Sequence, residues 1–457
     1  METITLAEAS QAMRASKSAA GAAGISGVSI DTRTLQAGEL FFALRGEHTD
    51  GHRFVDSAFE RGAGAVVVSD SAAQSAEGPV LVVDDTVAAL QRLAGWYRSR
   101  FDLPVVGITG TNGKTTTKDM TAAVLSTRFR TLKTEGNYNN HIGVPLTLLG
   151  LSARHEAAVI EIGMSHPGEV RTLAAIAEPR IGVITNVAEA HLETMGSREA
   201  IADAKGELLD ALPKDGTAIL NGDDELVMSQ ARRARGDVRT FGVAQDADFR
   251  AEGIEERATS VGFSVAGDGT FEVPLPGRHN VANALAAVAV GSVLGVGPED
   301  ASRGLSGFES SPLRMKIIEI GDWRVLNDAY NCNPGSLRAS LETLVGLGGG
   351  RRTAAALGDM LELGPASDSA HRTAGRFAAG LGIDLIYLFG TEVRSLREGA
   401  LEGGMAPGSV RLFETKDELA RALAAELNGP AVILVKGSRG TRMEEVVETL
   451  TKEAPAS

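Results

Sequence analysis

Apolar residues along this chain fall into short runs, each followed by a polar or glycine-rich turn and then by a stretch with helical spacing. In the first hundred residues Val28 and Ile30 alternate as a strand; Leu40, Phe42 and Leu44 suggest a second, 65–68 a third and 81–83 a fourth. Helical spacing covers 54–61 and 87–98, and the Ala-, Ser- and Gly-rich stretch 12–24 reads as a weak helix or a loose segment. This predicts a small α/β unit. Further on, apolar runs at 105–108, 157–162, 181–185 and 218–220 alternate with helices, the pattern of a mostly parallel doubly wound sheet. After Ser310, Ser311 and Pro312 the periodicity restarts, which marks a linker. Strands at 323–326, 354–357, 385–389 and 431–435 then predict a second open, Rossmann-like sheet. The expected architecture is α/β in three domains, 1–100, 101–312 and 313–457, the central one of P-loop type.

The pattern changes meaning at PVVGITGTNGKTTTK, residues 104–118. A strand, a turn of Gly110, Thr111, Asn112 and Gly113, and a helix opening at Lys114, Thr115 and Thr116 make an anion cradle. Backbone N–H groups and the helix dipole face the phosphates, Lys114 reaches the β- and γ-phosphates, and the Thr115 hydroxyl binds Mg²⁺. Gly107 stands one position too early for the usual P-loop spacing, so the working pattern is Gly110-x-x-Gly113-Lys114-Thr115.

Ligands of open parallel sheets bind beyond the carboxyl ends of the strands, which puts Glu161 and His191 on the same rim as the phosphate loop. Glu161 ends an apolar strand, where a carboxylate needs a reason to be, and a second Mg²⁺ shared with His191 supplies one. Lys205 falls on a helix, and its neighbours alone read it as a solvated lysine pairing with Glu207 or Asp210. The loop EGNYNN offers Asn137 and Asn140 to a sugar or phosphate. Asn280 and Asn283 share a helix face; they either read an adenine edge or serve as a cap and its neighbour. In the third domain, NDAYNCNP places Asp328, Asn331 and Asn333 in a loop before a helix, and Lys436-Gly437-Ser438-Arg439 is either a carboxylate grip or an exposed basic turn. Ser29, Asp31, Thr32, Arg33 and His52 read locally as turn chemistry.

Composition removes several classes. A net charge of −14 is a poor match to nucleic acid. The single cysteine, Cys332, excludes a disulfide framework and a cysteine zinc site. No secretory signal is legible at METITLAEAS and no apolar run reaches membrane-spanning length, so a reducing cytoplasm is the expected compartment.

Taken together the motifs resemble the ATP-dependent Mur ligases of peptidoglycan synthesis, over nearly the whole chain. GITGTNGKTTTK is similar to the family's phosphate loop, AKGE around Lys205 to its carbamylated-lysine motif, and PGRHNVANALAA to its adenine-binding motif. EGNYNNHIGVPLTLL, EIGMSHPGEV, ITNVAEAHLETMGS, NDAYNCNP and VKGSRGTRMEEVV most resemble the member that joins D-alanyl-D-alanine to UDP-MurNAc-tripeptide. The resemblance implies that Lys114 holds the γ-phosphate, Thr115 and Glu161 one Mg²⁺, and His191 with a carbamylated Lys205 a second. It further implies that Asn280 and Asn283 face adenine and that Arg314 and Asp328 complete the ATP site. Ser29, Thr32 and His52 then contact the uridine nucleotide, while Tyr330, Asn331, Asn333, Lys436, Ser438 and Arg439 hold substrate carboxylates. Cys332, Met164 and Ser165 are mild departures. The implied partners are the two substrates, with no nucleic acid, no membrane insertion and a monomeric chain.

Rival readings remain. A sister ligase would add lysine or diaminopimelate to the dipeptide, but its third-domain loop usually reads like DYAHTP, and the DNPR-type signature is missing here. A folylpolyglutamate-synthase-like enzyme lacks the N-terminal domain, and an amidating relative carries a four-cysteine zinc ribbon. A non-catalytic nucleotide-binding scaffold would have lost Lys114, Glu161 or Lys205, and all three are present.

Overall fold

The computed structural model describes residues 1–16, 24–46, 49–69, 78–244 and 246–453. Among the described residues three mostly parallel sheets follow one another along the chain, beside a two-stranded antiparallel pair of Ile4–Thr5 with Gly24–Ile25. The first has four short parallel strands, Val28–Ser29, Leu40–Phe42, Ala65–Val68 and Val80–Val82. Its first strand is shorter than the alternation suggested, because Ile30 is exposed and the chain turns at Asp31. Most of 12–24 lies outside the described residues; its start is the end of a helix, Leu6–Met13, stopped by Arg14 in left-handed backbone.

The central sheet has nine strands. Thr131–Lys133 forms one edge, followed by Ala157–Glu161, Val105–Thr109, Ile181–Ile184, Thr217–Asn221, Asp237–Gly242 and Phe249–Glu256, all parallel. Val261–Val265 and Gly269–Val273 then extend it as an antiparallel hairpin. This addition was not expected; its exposed-face residues alternate as a half-buried antiparallel sheet requires. The chain leaves Val105–Thr109 for one side of the sheet and later returns to the other at Ile181–Ile184. That switch opens a crevice beyond the carboxyl end of Val105–Thr109.

The third sheet runs Lys316–Ile320, Trp323–Asp328, Ala431–Lys436, Arg352–Gly358, Leu385–Phe389, Val410–Phe413, antiparallel only at its first pair. It too has a switch, which sets Asp328 beside Lys436 at adjacent strand ends.

The cores are unequally shared. One apolar cluster runs from Ile4 and Leu6 through Leu90, Leu93 and Tyr97 to Val144, Leu148 and Leu173. The helix Thr86–Arg98 is its bridge: Tyr97 Oη donates to Leu151 O at 2.7 Å, and Arg98 Nε to Ala177 O at 3.0 Å. The third domain keeps both its apolar clusters to itself. Among the described residues no helix is long and apolar enough to cross a membrane.

Candidate active site

A cleft of about 750 Å³ lies between the central and third sheets. Its floor is the phosphate loop. Val105–Thr109 is buried throughout, and the helix Lys114–Ser126 starts at Gly113 without a side-chain cap, so its first N–H groups face the cleft. Gly113 has φ +78°, and a Cβ there would stand 2.3 Å from Asn283 Oδ1; only glycine fits. Lys114 Nζ donates to Gly110 O (2.8 Å) and Thr111 O (2.9 Å), folded over its own loop. Burial pulls its ammonium down to about 8, with Arg314 adding to the shift and Glu161 opposing it.

Glu161 is 1% exposed. Its Oε1 accepts from Thr115 Oγ1 (3.2 Å) and Asn139 Nδ2 (2.7 Å), while Oε2 has no partner. A buried carboxylate oxygen without a donor is expensive, and a cation beside the Thr115 hydroxyl satisfies it. Among the described residues no three His, Cys, Asp or Glu side chains gather as a metal cage. Any ion here therefore depends on a hydroxyl, on phosphate oxygens or on a modified side chain.

Lys205 lies on the helix Arg198–Asp210 and is 3% exposed. The expected pairing with Glu207 or Asp210 does not occur: Glu207 bonds Arg171 and Asp210 bonds Arg233. Lys205 faces inward, with no carboxylate or hydrogen-bond partner among the described residues, and burial together with the Lys114 charge holds its ammonium well below the usual range. A neutral amine in such a place is nucleophilic. His191 lines the cleft, whereas Lys205 is not one of its lining residues and acts on the imidazole through its charge. That imidazole is pushed down, chiefly by burial and also by Lys114 and Lys205, against the pull of Glu362.

The mouth belongs to the third domain. Arg314 stacks over the Tyr330 ring at 3.9 Å, and Asp328, Asn331, Asn333 and Lys436 also line the cleft. Lys436 pairs with Asp328 and donates to Asn331 O at 3.0 Å, so it is a buried strand end and not an exposed basic turn. Asn333 does two jobs. Its Oδ1 caps the helix Pro334–Gly348 at Ser336 N (2.9 Å), and its Nδ2 donates across the cleft to Asn112 Oδ1 at 2.7 Å.

Other expected residues are placed differently. Asn280 and Asn283 line the cleft but spend bonds on each other: Asn283 Nδ2 donates to Asn280 Oδ1 (3.1 Å) and Asn280 Nδ2 to Pro276 O (2.8 Å). Asn280 lies inside the helix His279–Val293, which rules out its reading as a cap. Asn140 borders the cleft while its side chain caps Gly143–Leu149; Asn137 does not border it, and Asn139 takes the inward position. Ser438 and Arg439 do not border the cleft: Ser438 Oγ donates to Cys332 O and accepts from Leu361 N, and Arg439 pairs with Glu444. Ser29, Thr32 and His52 lie on the first domain outside this cleft, with His52 held between Asp50 and Ser69 N. Burial pushes the Cys332 thiol up to about 12, so it is chemically quiet. No local pattern singled out Asn139, Asn186, whose Oδ1 accepts from Asn112 N (2.9 Å), or the half-buried His279, because each acts through long-range packing.

A glycine turn with an uncapped helix N-terminus on one domain, faced across a cleft by cations of another, is the layout of a nucleotide-dependent group-transfer enzyme or ligase. Family patterns narrow the class: the Mur ligase family catalytic domain matches residues 24–98, the Mur ligase middle domain 108–291, and the Mur ligase glutamate ligase domain 313–439. A Bacillus subtilis UDP-N-acetylmuramoyl-tripeptide–D-alanyl-D-alanine ligase is 40% identical over 94% of this chain and 94% of its own. A MurF crystal structure from Acinetobacter baumannii superposes with a TM-score of 0.90 at 32% identity, covering 99% of both chains. A Thermotoga maritima MurF ligase in complex with ADP gives 0.80 at 28%, over 93% of this chain and 97% of that one. The chain belongs to the Mur ligase family.

Proposed function

We propose that this protein is an ATP-dependent amide ligase that joins D-alanyl-D-alanine to UDP-MurNAc-tripeptide, giving UDP-MurNAc-pentapeptide, ADP and phosphate in the cytoplasm. The carrying observation is the charge pattern of the cleft. Lys114 and Arg314 act on one region, opposed there by Glu161 with its orphaned oxygen, beside the buried Lys205 amine, which has no partner of its own among the described residues. Such a site is incomplete without a polyanion and a cation, which MgATP supplies.

A carboxylate is a poor acyl donor because its leaving group would be oxide. The tripeptide's terminal carboxylate attacks the γ-phosphorus, the bond to the β,γ-bridging oxygen breaks, and ADP leaves with that electron pair. The amine of D-alanyl-D-alanine then attacks the acyl phosphate, and the tetrahedral intermediate collapses to amide and inorganic phosphate with loss of a proton. Lys114 and Arg314 stabilise the charge on the transferred group and on the oxyanion. Thr115 and Glu161 would hold one Mg²⁺, and His191 with a carbamylated Lys205 a second; bound there, the ions neutralise phosphate charge. The third-domain residues Tyr330, Asn331, Asn333 and Lys436 orient the peptide substrates, and Ser29, Thr32 and His52 hold the uridine nucleotide. Acyl phosphates hydrolyse, so the roof formed by the third domain excludes water.

Phosphate release from ATP with UDP-MurNAc-tripeptide is the test, offering D-alanyl-D-alanine, lysine or diaminopimelate separately. Release that requires D-alanyl-D-alanine and vanishes in Lys114→Ala is the expected result. Turnover only with UDP-MurNAc-dipeptide plus lysine or diaminopimelate would assign the preceding step, and no release at all would leave a nucleotide-binding scaffold.

A further inference from the structure

The loop after the strand Arg352–Gly358 carries an acid that the cleft does not use. Glu362 lies outside the cleft lining, yet its Oε2 stands 2.6 Å from His191 Nδ1, across the boundary between the third and central domains. It has no other ion-pair partner among the described residues. Both residues hold left-handed backbone, His191 at φ +53° and Glu362 at φ +64°. That conformation is disfavoured for residues with a Cβ and persists where surrounding structure enforces it.

The enforcement is visible on both sides. His191 begins the short helix Leu192–Met195, its carbonyl accepting from Thr194 N (3.1 Å) and Met195 N (2.9 Å). On the other side, Met360 N donates to the buried His371 Nε2 (3.0 Å), Leu361 N donates to Ser438 Oγ (2.9 Å), and Leu363 is buried in the third domain's core. Gly364 backs onto Glu193, so the loop and the short helix meet next to the pair. Glu362 is therefore aimed at the imidazole by its own domain.

A neutral imidazole has one N–H. A carboxylate at Nδ1 takes that proton as a hydrogen bond and leaves the Nε2 lone pair free, which is how ligating histidines are fixed in one tautomer and orientation. We propose that Glu362 is a positioning residue supplied by the third domain: by accepting the His191 Nδ1–H it presents Nε2 to the second Mg²⁺, so that this metal site is complete only when the two domains are together. The inference rests on the ligase reading of the same cleft. It makes metal binding and domain closure one event and explains why a strained pair joins a cleft residue to a residue of the third domain that the cleft does not use.

The experiment uses full-length protein with a non-hydrolysable ATP analogue and Mn²⁺ as the probe, comparing wild type, Glu362→Gln and Glu362→Ala. Paramagnetic-resonance titration is expected to show the weaker Mn²⁺ site losing about 10- to 100-fold in affinity in Glu362→Ala, with much of it restored in Glu362→Gln, whose amide oxygen still accepts the bond. In ¹⁵N-histidine spectra, His191, assigned from its loss in His191→Gln, is expected as the Nδ1–H tautomer in wild type and Glu362→Gln and as a mixture in Glu362→Ala. kcat falls in Glu362→Ala while the KM for D-alanyl-D-alanine stays unchanged. Wild-type turnover combined with unaltered Mn²⁺ affinity and tautomer in Glu362→Ala overturns the Glu362 assignment alone. A wild-type chain that binds Mn²⁺ and ATP analogue but ligates no substrate overturns the ligase reading instead.

Discussion

At Lys205 the cost of burial and the use of the residue point in opposite directions. Its amine has no partner among the described residues, and burial with the Lys114 charge holds its pKa well below the usual lysine range. Replacing such a charge by an apolar side chain of similar volume is often stabilising. Lys205→Met is therefore expected to abolish ligation while raising Tm by about 2 °C or more, read by calorimetry in CO₂-depleted buffer. The sign with pH follows from linkage. The folded-state pKa is depressed, so between it and 10.5 the unfolded chain holds more protons and wild-type stability rises with pH. The Tm advantage of Lys205→Met should shrink as the buffer moves from pH 7 towards 10. Lys114 makes a companion case. Its pKa of about 8 leaves it mostly charged at neutral pH, and kcat/KM for ATP is expected to fall as pH rises through that value. Removing the charge with Lys114→Ala should lower kcat by about 10²- to 10³-fold or more at saturating ATP, since its stabilisation is needed most in the transition state.

Between elements, the site depends on loops held by single bonds. Asn139 ties the loop before Gly143–Leu149 to Glu161 at the end of Ala157–Glu161. Asn139→Ala is expected to raise the Mg²⁺ concentration for half-maximal activity about tenfold while leaving Tm nearly unchanged, because it frees the carboxylate without opening a core. Gly113→Ala acts on the contact between Lys114–Ser126 and His279–Val293, where a Cβ would displace Asn283. Calorimetric titration of the ATP analogue should show binding weakened at least tenfold. These two cases also show what was legible. The phosphate loop could be read because strand, turn and helix N-terminus are consecutive in sequence. Asn137 and Asn140 were favoured over Asn139 although all three lie in one loop, because which amide points inward is set by the strand it packs on. Ser438 and Arg439 belong to the same kind of case: a basic turn after a strand reads as an anion grip, and only the fold shows that their present partners are Cys332, Leu361 and Glu444.

For the whole molecule, the distribution of cores sets what can move. The first domain is joined to the second by a shared apolar cluster and by Tyr97 and Arg98, whereas the third has its own cores and touches the second through polar contacts such as Asn112–Asn333 and through the segment at Ser311, which donates to Asp119. Left-handed backbone at Leu313 and Met315 flanks Arg314 in that segment. Rigid-body motion is therefore expected of the third domain only. Small-angle scattering should show a smaller radius of gyration once ATP analogue and UDP-MurNAc-tripeptide are added; an unchanged radius would rule closure out.

The sequence by itself determined the α/β class, the order of strands and helices, the phosphate loop and the family, because each is carried by residues close together in the chain, where periodicity and turn chemistry act. It also supplied Lys205 as a motif, while its local surroundings argued for a solvated lysine. Only the tertiary structure decided that this lysine is buried without a partner, that Glu161 keeps an unsatisfied oxygen, that Glu362 reaches His191, and that the first domain shares a core with the second. These depend on which strand ends meet at the sheet switch points and on which domain roofs the cleft, contacts between residues tens to hundreds of positions apart that no local pattern encodes.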